Sequence, residues 1–485
     1  MDDGLTITRG LQGALFVLGL VMAVWASGHA LIYKRDPRAA TLWVGVIWTL
    51  PLVGSVLYFV VGINRIRRWA ESLRGGMARF QVDGGRSVSR PETLASLENE
   101  AAADLMQIAR AVSTVVTRPL LSGNRVEPLI NGDEAYPAML EAIANARASV
   151  AMSTYIFDAD PVGNQFAAAL GAAVRRGVEV RVLIDATGTR YSWPSILGAL
   201  QREEVRHARF LRTFPLVRLL AMNLRNHRKL LVADGRLGFT GGMNVRQGHW
   251  LGRNPAHPVQ DIHFRVEGPI VAQLQEVFVD DWQFTTGEAL RGPAWFPELQ
   301  PAGTVVARGI VDGPDEDFER LRWALLSALA AARRSIRVST PYFLPDAGLI
   351  AGLNVAAMRG VAVDILLPER NNLPFVHWAS RAHWWQVLGR GCRIWLGPPP
   401  FDHSKLVVVD DVWSLVGSAN WDPRSLRLNF EFNIECYDLA LASKLVAVFE
   451  ERRAGSREVT LEEVDRRSLG TRLLDGTARL FTPFL

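Results

Sequence analysis

Two long runs without a charged side chain open the hydropathy pattern, Leu11 to Tyr33 and Ala39 to Asn64. Each exceeds the roughly 20 residues a helix needs to cross a hydrocarbon core of about 30 Å. The pattern therefore predicts a two-helix transmembrane hairpin over residues 1–68, turning at Lys34, Arg35 and Arg38. A cleavable signal peptide fits less well, because no short apolar core ends in a small-x-small site and a second run follows at once. Pro51 and Gly54 lie inside the second run, where a membrane helix tolerates them and can kink. Arg9, Arg65, Arg67, Arg68 and Arg74 flank the far side, so the positive-inside rule places the main body in the cytoplasm.

Residues 69–123 read as a connector, with a helix expected from Pro91 to about Thr114. Pro91 suits a first helical position, and Glu92, Glu98 and Glu100 suit an N-terminal half. From Asn124 onward strand-like and helix-like segments alternate, which implies an α/β class. The alternation occurs twice. Ala146 to Phe157 is echoed by Ala332 to Phe343, and Arg176 to Ile184 by Arg359 to Leu367. So long a period indicates duplicated lobes rather than a solenoid. The lobes are expected at 124–297 and 298–485, meeting in the Gly/Pro-rich stretch 292–303 and related by a pseudo-twofold. Leu211 to Leu224 is an apolar run interrupted by Arg212 and Arg218, readable as a core helix or as an interfacial segment. In the C-terminal tail Arg466, Arg467, Arg472 and Arg479 alternate with Leu473, Leu474, Leu480 and Phe481, an amphipathic pattern.

The 485 residues carry a formal charge of +5, which fits an anionic partner, nucleic acid or acidic membrane. Cys392 and Cys436 lack metal-ligand spacing and read as buried thiols. No G-x-x-x-x-G-K-[ST] loop and no H-E-x-x-H pair occurs, so nucleoside-triphosphate and zincin chemistries have no support.

The candidate chemistry lies in a motif that follows each echo. His227, Lys229, Asp234 and Asn244 return with the same spacing from His to Asp as His403, Lys405, Asp410 and Asn420. Apolar runs Leu230–Ala233 and Leu406–Val409 link Lys to Asp and read as buried strands, whose alternation puts His and Lys on one face. One His-x-Lys pair is usually a surface feature. Two in register, brought to one cleft by paired lobes, make an active site. Two imidazoles can divide a displacement at phosphorus, one attacking and one protonating the departing alkoxide. The attacking ring needs its other nitrogen fixed by an acceptor, and Asp261 and Glu431 lie late enough in each half to serve. Lys229, Lys405, Asn244, Asn420 and Ser418 would hold the phosphate. No metal or other cofactor is required. His29, His207, His249, His257, His263, His377 and His383 lack comparable support and read as ordinary.

The duplicated H-x-K-x-x-x-x-D pattern resembles the phospholipase D superfamily. The whole chain is similar to its bacterial cardiolipin synthases, through the hairpin, Gly241–Asn244, Ser339–Phe343, Trp378–Arg381, Asp422–Ser425, Leu428–Glu431 and the ending Leu480–Leu485. The resemblance implies two phospholipase D-like lobes and a multi-pass enzyme of the bacterial inner membrane. Its reaction would be phosphatidyl transfer between two phosphatidylglycerols, giving cardiolipin and glycerol through a phosphatidyl-histidine. His227 would be the nucleophile and His403 the general acid/base. Asp234 and Asp410, part of the catalytic motif, would be mainly structural, and Asp261 and Glu431 would orient the histidines. Hydrolysis or another alcohol acceptor is the nearest alternative. A nuclease is disfavoured by the hairpin and by the absence of a basic, base-stacking groove, so no nucleic-acid partner is expected; no oligomeric state is implied.

Overall fold

A computed structural model describes residues 2–34, 37–63, 88–89, 94, 102–211, 224–313 and 318–482. The chain divides into two compact units, Met1–Leu73 and Arg74–Leu485.

In the first unit, helix α1 (Asp2–Tyr33) contains Gln12–Tyr33, the one helical segment among the described residues long and apolar enough to cross a membrane. The second uncharged run is not one continuous helix. It folds as α2 (Pro37–Thr49), α3 (Pro51–Leu57) and a π turn, Tyr58–Gly62. The break falls at Pro51, which lacks an N–H and pushes the preceding residue out of the helical region; Leu50 sits at φ −136° and ψ 77°. Ala23, Ala26 and Ala30 of α1 pack with Ile47 and Tyr58, and the His29 ring nitrogen lies 2.8 Å from the Tyr58 hydroxyl.

The second unit is α/β, built on a 16-stranded mixed sheet. After α4 (Ala102–Val115), the first half supplies β1 (Leu120–Ile130), α5 (Asn131–Asn145), β2 (Ser149–Thr154), α6 (Pro161–Arg175), β3 (Glu179–Asp185), β4 (His207–Phe210), β5 (Leu230–Ala233), β6 (Leu237–Gly241), β7 (Ile262–Glu267) and α7 (Val271–Thr286). The second half supplies β8 (Val305–Asp312), α8 (Arg320–Ala331), β9 (Ser335–Ser339), α9 (Ala347–Met358), β10 (Ala362–Pro368), α10 (Pro374–Arg381), β11 (Arg393–Gly397), β12 (Leu406–Val409), β13 (Trp413–Gly417), β14 (Glu431–Tyr437), α11 (Leu439–Ala454), β15 (Arg457–Val459) and α12 (Leu469–Leu480).

The strand order is β4-β3-β2-β5-β6-β7-β1 followed by β8-β14-β13-β12-β9-β10-β11-β15, and the sixteenth strand, Val88–Ser89, pairs off this path with β1. Read outward from the antiparallel β1–β8 seam, both halves follow the same order, with β15 as an addition. The echoed segments occupy matching strands, β2 beside β3 and β9 beside β10, each pair parallel. Their side chains are almost all buried, as expected of strands covered on both faces. The crossover helices also begin alike. Asp160 caps α6 by accepting from Gly163 N, and Asp346 caps α9 by accepting from Leu349 N.

The stretch 292–303 connects the halves without separating their cores. One apolar cluster takes Val232 and Phe264 from the first half, Val408 and Phe432 from the second, and Leu274 of α7 with Leu445 of α11. Of the helix expected over Pro91–Thr114, residues from Ala102 are helical; the earlier ones, except Leu94, lie outside the described residues. So does the Leu211–Leu224 run, except its two ends. Both cysteines are buried and free. The tail helix α12 lies against α10, joined by Asp475 to Arg381 at 2.6 Å and to Arg467 at 2.7 Å.

Candidate active site

Both motif copies enter a strand in the same way. His227 and Lys229 precede β5, and His403 and Lys405 precede β12. Asp234 and Asp410 stand at the far ends of those strands in the left-handed region, at φ 52° and 53°. Asp234 accepts the backbone N–H groups of Arg147, Ala148 and Ser149. Asp410 does the same for Arg333, Arg334 and Ser335. These carboxylates pin the motif strand to the turn that opens the echoed strand. Their placement is structural, away from the histidines.

The histidine ends of the two copies are interlocked. His227 donates its backbone N–H to Phe430 O at 2.9 Å, and His403 donates to Gln260 O at 2.8 Å. Each acceptor immediately precedes a carboxylate of the other half. Glu431 consequently meets the His227 Nδ1 at 3.0 Å, and Asp261 meets the His403 Nδ1 at 2.8 Å. The partners are therefore exchanged: each histidine is held by the half that does not contain it. A short parallel pairing of Asp402 with Gln260, and an Asn226–Phe430 bridge, fix the crossing.

Glu431 and Asp261 are fully buried, and the two histidines and two lysines are nearly so. Lys229 Nζ donates to His227 O at 2.6 Å, and Lys405 Nζ donates to His403 O. Asn244 accepts Ile156 N through Oδ1, while its Nδ2 donates to no group among the described residues. Asn420 donates to Ser425 Oγ at 3.3 Å, leaving a buried Oδ1 without a partner among the described residues. Ser418, expected to hold the phosphate, lies against Glu431. Its hydroxyl is fully buried and committed to Glu431 and Phe432 O, so it stiffens the carboxylate. At the matching position of the first copy Gly242 leaves room for the shorter Asp261; a Cβ there would lie 2.6 Å from Asp261 Oδ1.

Burial pushes the His227 imidazole below its ordinary value, against the pull of Glu431. Burial lowers His403 further, and Lys405, Lys229 and His227 act in the same direction. For Glu431 burial alone would raise the carboxyl, but His227, Lys229 and the Ser418 hydroxyl outweigh it and the net shift is downward. Burial brings Lys229 down to about 7 and Lys405 down to about 8, despite the opposing attraction of Asp261 and Glu431. At neutral pH the site thus presents two neutral imidazoles. A carboxylate facing each Nδ1 assigns the proton there, so each Nε2 offers a lone pair.

These directions give a pH prediction. Neutral His227 is needed for attack, so the acid limb of kcat/KM should lie below pH 6.5. His403 must carry the leaving-group proton and charged lysines are needed to bind a phosphate anion, so kcat/KM should already decline above the lowered His403 value, below pH 6.5, and steepen above about pH 7 to 8, by up to tenfold per pH unit for each group that must be protonated. Bound phosphate holds those protons, so the alkaline limb of kcat should lie higher. Steady-state profiles over pH 5 to 9.5 test both limbs.

Sequence reasoning passed over several supports. Arg228 is buried against Asp281 at 2.5 Å, and Asp281 also accepts from Asn226 Nδ2 at 3.0 Å. Asp281→Ala would leave a buried guanidinium uncompensated and is expected to cost about 3–5 kcal/mol in denaturant titrations. Tyr155 lies with its ring 5.3 Å from His227, and Tyr342 with its ring 6.3 Å from His403. Their repetition in the echoed segments was the available signal. His249, read as ordinary, is buried 6.3 Å from the His403 ring; no spacing announced it. His207 Nδ1 lies 2.8 Å from Val205 O and His383 Nδ1 3.3 Å from Gln386 Nε2.

The family described as "Cardiolipin synthase, PLD-like domain" matches twice, at residues 139–282 and 325–453. "Phospholipase D-nuclease N-terminal" matches residues 21–62. The major cardiolipin synthase ClsA of Bacillus subtilis is 32% identical over 99% of this chain and 100% of its own length. Cardiolipin synthase A of Pseudomonas putida is 32% identical over 98% of both. Among solved structures, phosphatidylserine synthase of Haemophilus influenzae shares the fold, with TM-score 0.60 at 14% identity over 78% of this chain and 100% of that one. A matched domain in each half and full-length similarity at this level place the chain plainly: it belongs to the bacterial cardiolipin synthases, phosphatidyltransferases of the phospholipase D type.

Proposed function

We propose that the enzyme transfers a phosphatidyl group from one phosphatidylglycerol to the free glycerol hydroxyl of another, through a covalent intermediate on His227. The observation that carries this reading is the exchanged pair of histidine–carboxylate contacts above two buried lysines. The phosphate sits between Lys229 and Lys405, with the Asn244 amide as a further donor. Its negative charge raises the proton affinity of His403, which burial and the two lysines hold low, so His403 binds the proton it must deliver. His227 Nε2 attacks phosphorus; the bond to glycerol oxygen breaks, and that oxygen takes the proton of His403. His403, now neutral, removes the proton of the acceptor hydroxyl. The acceptor oxygen attacks phosphorus, and the P–N bond returns its electrons to His227.

Glu431 and Asp261 each fix a tautomer and stabilise an imidazolium as it forms. The matching strand orders support two lobes related by a pseudo-twofold, with the active site at their junction. The uncharged run broken at Pro51 completes a hairpin with α1, anchoring the enzyme in the bacterial inner membrane with its catalytic lobes cytoplasmic. The test is lipid analysis after incubating the purified protein with phosphatidylglycerol. Phosphatidic acid as the sole product would move the reading to a hydrolase.

A further inference from the structure

We infer that the tail helix α12 and the rim of the active-site mouth form a docking surface for an anionic phospholipid bilayer. This inference rests on the reading that the substrate is a phospholipid. Leu469, Leu473 and Leu480 are spaced to share one face of α12, and they are 73%, 62% and 74% exposed. The opposite face holds buried Asp475 and Ala478 and is the one docked on α10, through Arg381, Arg467 and a small apolar cluster. The leucine face therefore has no role in holding the helix to the body. Solvated leucines on a helix already anchored by its other side are an unfavourable arrangement unless another apolar phase covers them.

The face is continuous with the catalytic cleft. Phe481 packs on Phe375 at 5.5 Å, Phe375 on Trp378 at 6.3 Å, and Trp378 and Tyr342 both border the cluster beneath α12. Tyr342 in turn flanks His403. On the first-half rim Tyr191 packs on Tyr155, which flanks His227. Trp193, two residues on, is 94% exposed. An indole so placed suits the headgroup level of a bilayer. Exposed Arg472 and Arg479 flank the leucine face, which selects an anionic surface. Docked this way, the cleft would open onto lipid, so that a diacyl substrate could reach His227 without leaving the apolar phase.

The test uses the full chain. Cys392 and Cys436 are buried, so Leu480→Cys gives a single accessible thiol for an environment-sensitive fluorophore. On vesicles the label should shift to a blue emission that grows with the phosphatidylglycerol fraction, whereas a label at Arg175→Cys should not. A water-like emission at residue 480 on vesicles overturns the proposal. So does a concentration-dependent shift without lipid, which would assign the face to a second copy. In parallel, Leu473→Glu with Leu480→Glu should lower turnover of vesicle phosphatidylglycerol at least tenfold and leave turnover of a monomeric short-chain phosphatidylglycerol within twofold. An equal loss on both substrates would make α12 a scaffold and overturn the proposal. Inactivity of the parent on both would count against the transfer reading, while the fluorescence arm still decides the docking surface.

Discussion

His227→Ala and His403→Ala are each expected to lower cardiolipin formation by about 10⁴-fold or more, and the double variant should be little worse than either single one, since the two act as a unit. The two losses should separate when the donor carries a leaving group that needs no proton. With a p-nitrophenyl ester of phosphatidic acid, His403→Ala retains the attacking ring, so a burst of nitrophenolate approaching one equivalent per enzyme should appear. His227→Ala should show none. The assignment of roles follows from the fate of the proton: a nitrophenolate departs unassisted, a glycerol alkoxide does not. A burst in His227→Ala and its absence in His403→Ala would reverse the roles.

The exchanged carboxylates give the second large effect. Glu431→Gln leaves volume and burial nearly intact but removes the carboxylate charge and offers an amide N–H that can hold the other His227 tautomer, and Asp261→Asn does the same to His403. Each should lower turnover by about 10²–10⁴-fold. Because the contacts cross between halves, the burst assay makes them distinguishable. Glu431→Gln, though it lies in the second half, should lose the nitrophenolate burst with the first-half histidine. Asp261→Asn should keep the burst and lose the second step. Were each histidine served by its own half, the pattern would be inverted.

Much of this site was legible in the sequence because duplication made weak signals strong. One His-x-Lys carries little weight, but His227 and His403 share spacing, following strand and preceding echo, and the structure puts both at one junction. Asp261 and Glu431 were legible as candidates. Their crossing was not, since it depends on the main-chain contacts of His227 with Phe430 and His403 with Gln260, which link residues far apart in sequence. The pairing of the Ser418 hydroxyl with Glu431 was hidden for a related reason: spacing alone does not distinguish a phosphate donor from a carboxylate support. His249 is carried to the site by a short irregular segment with no periodicity to read. The second uncharged run shows composition overruled locally, where Pro51 divides a stretch long enough for one helix. The exposed leucines of α12 were visible as a pattern, but only packing revealed that the helix docks through its other face.

Supplying the purified full-length protein with phosphatidylglycerol labelled in the headgroup glycerol, and quantifying lipids and released glycerol together, tests the central claim most directly. The account predicts cardiolipin and free glycerol in equal amounts, with two phosphatidylglycerols consumed for each cardiolipin. Release of glycerol with phosphatidic acid and no cardiolipin would contradict it.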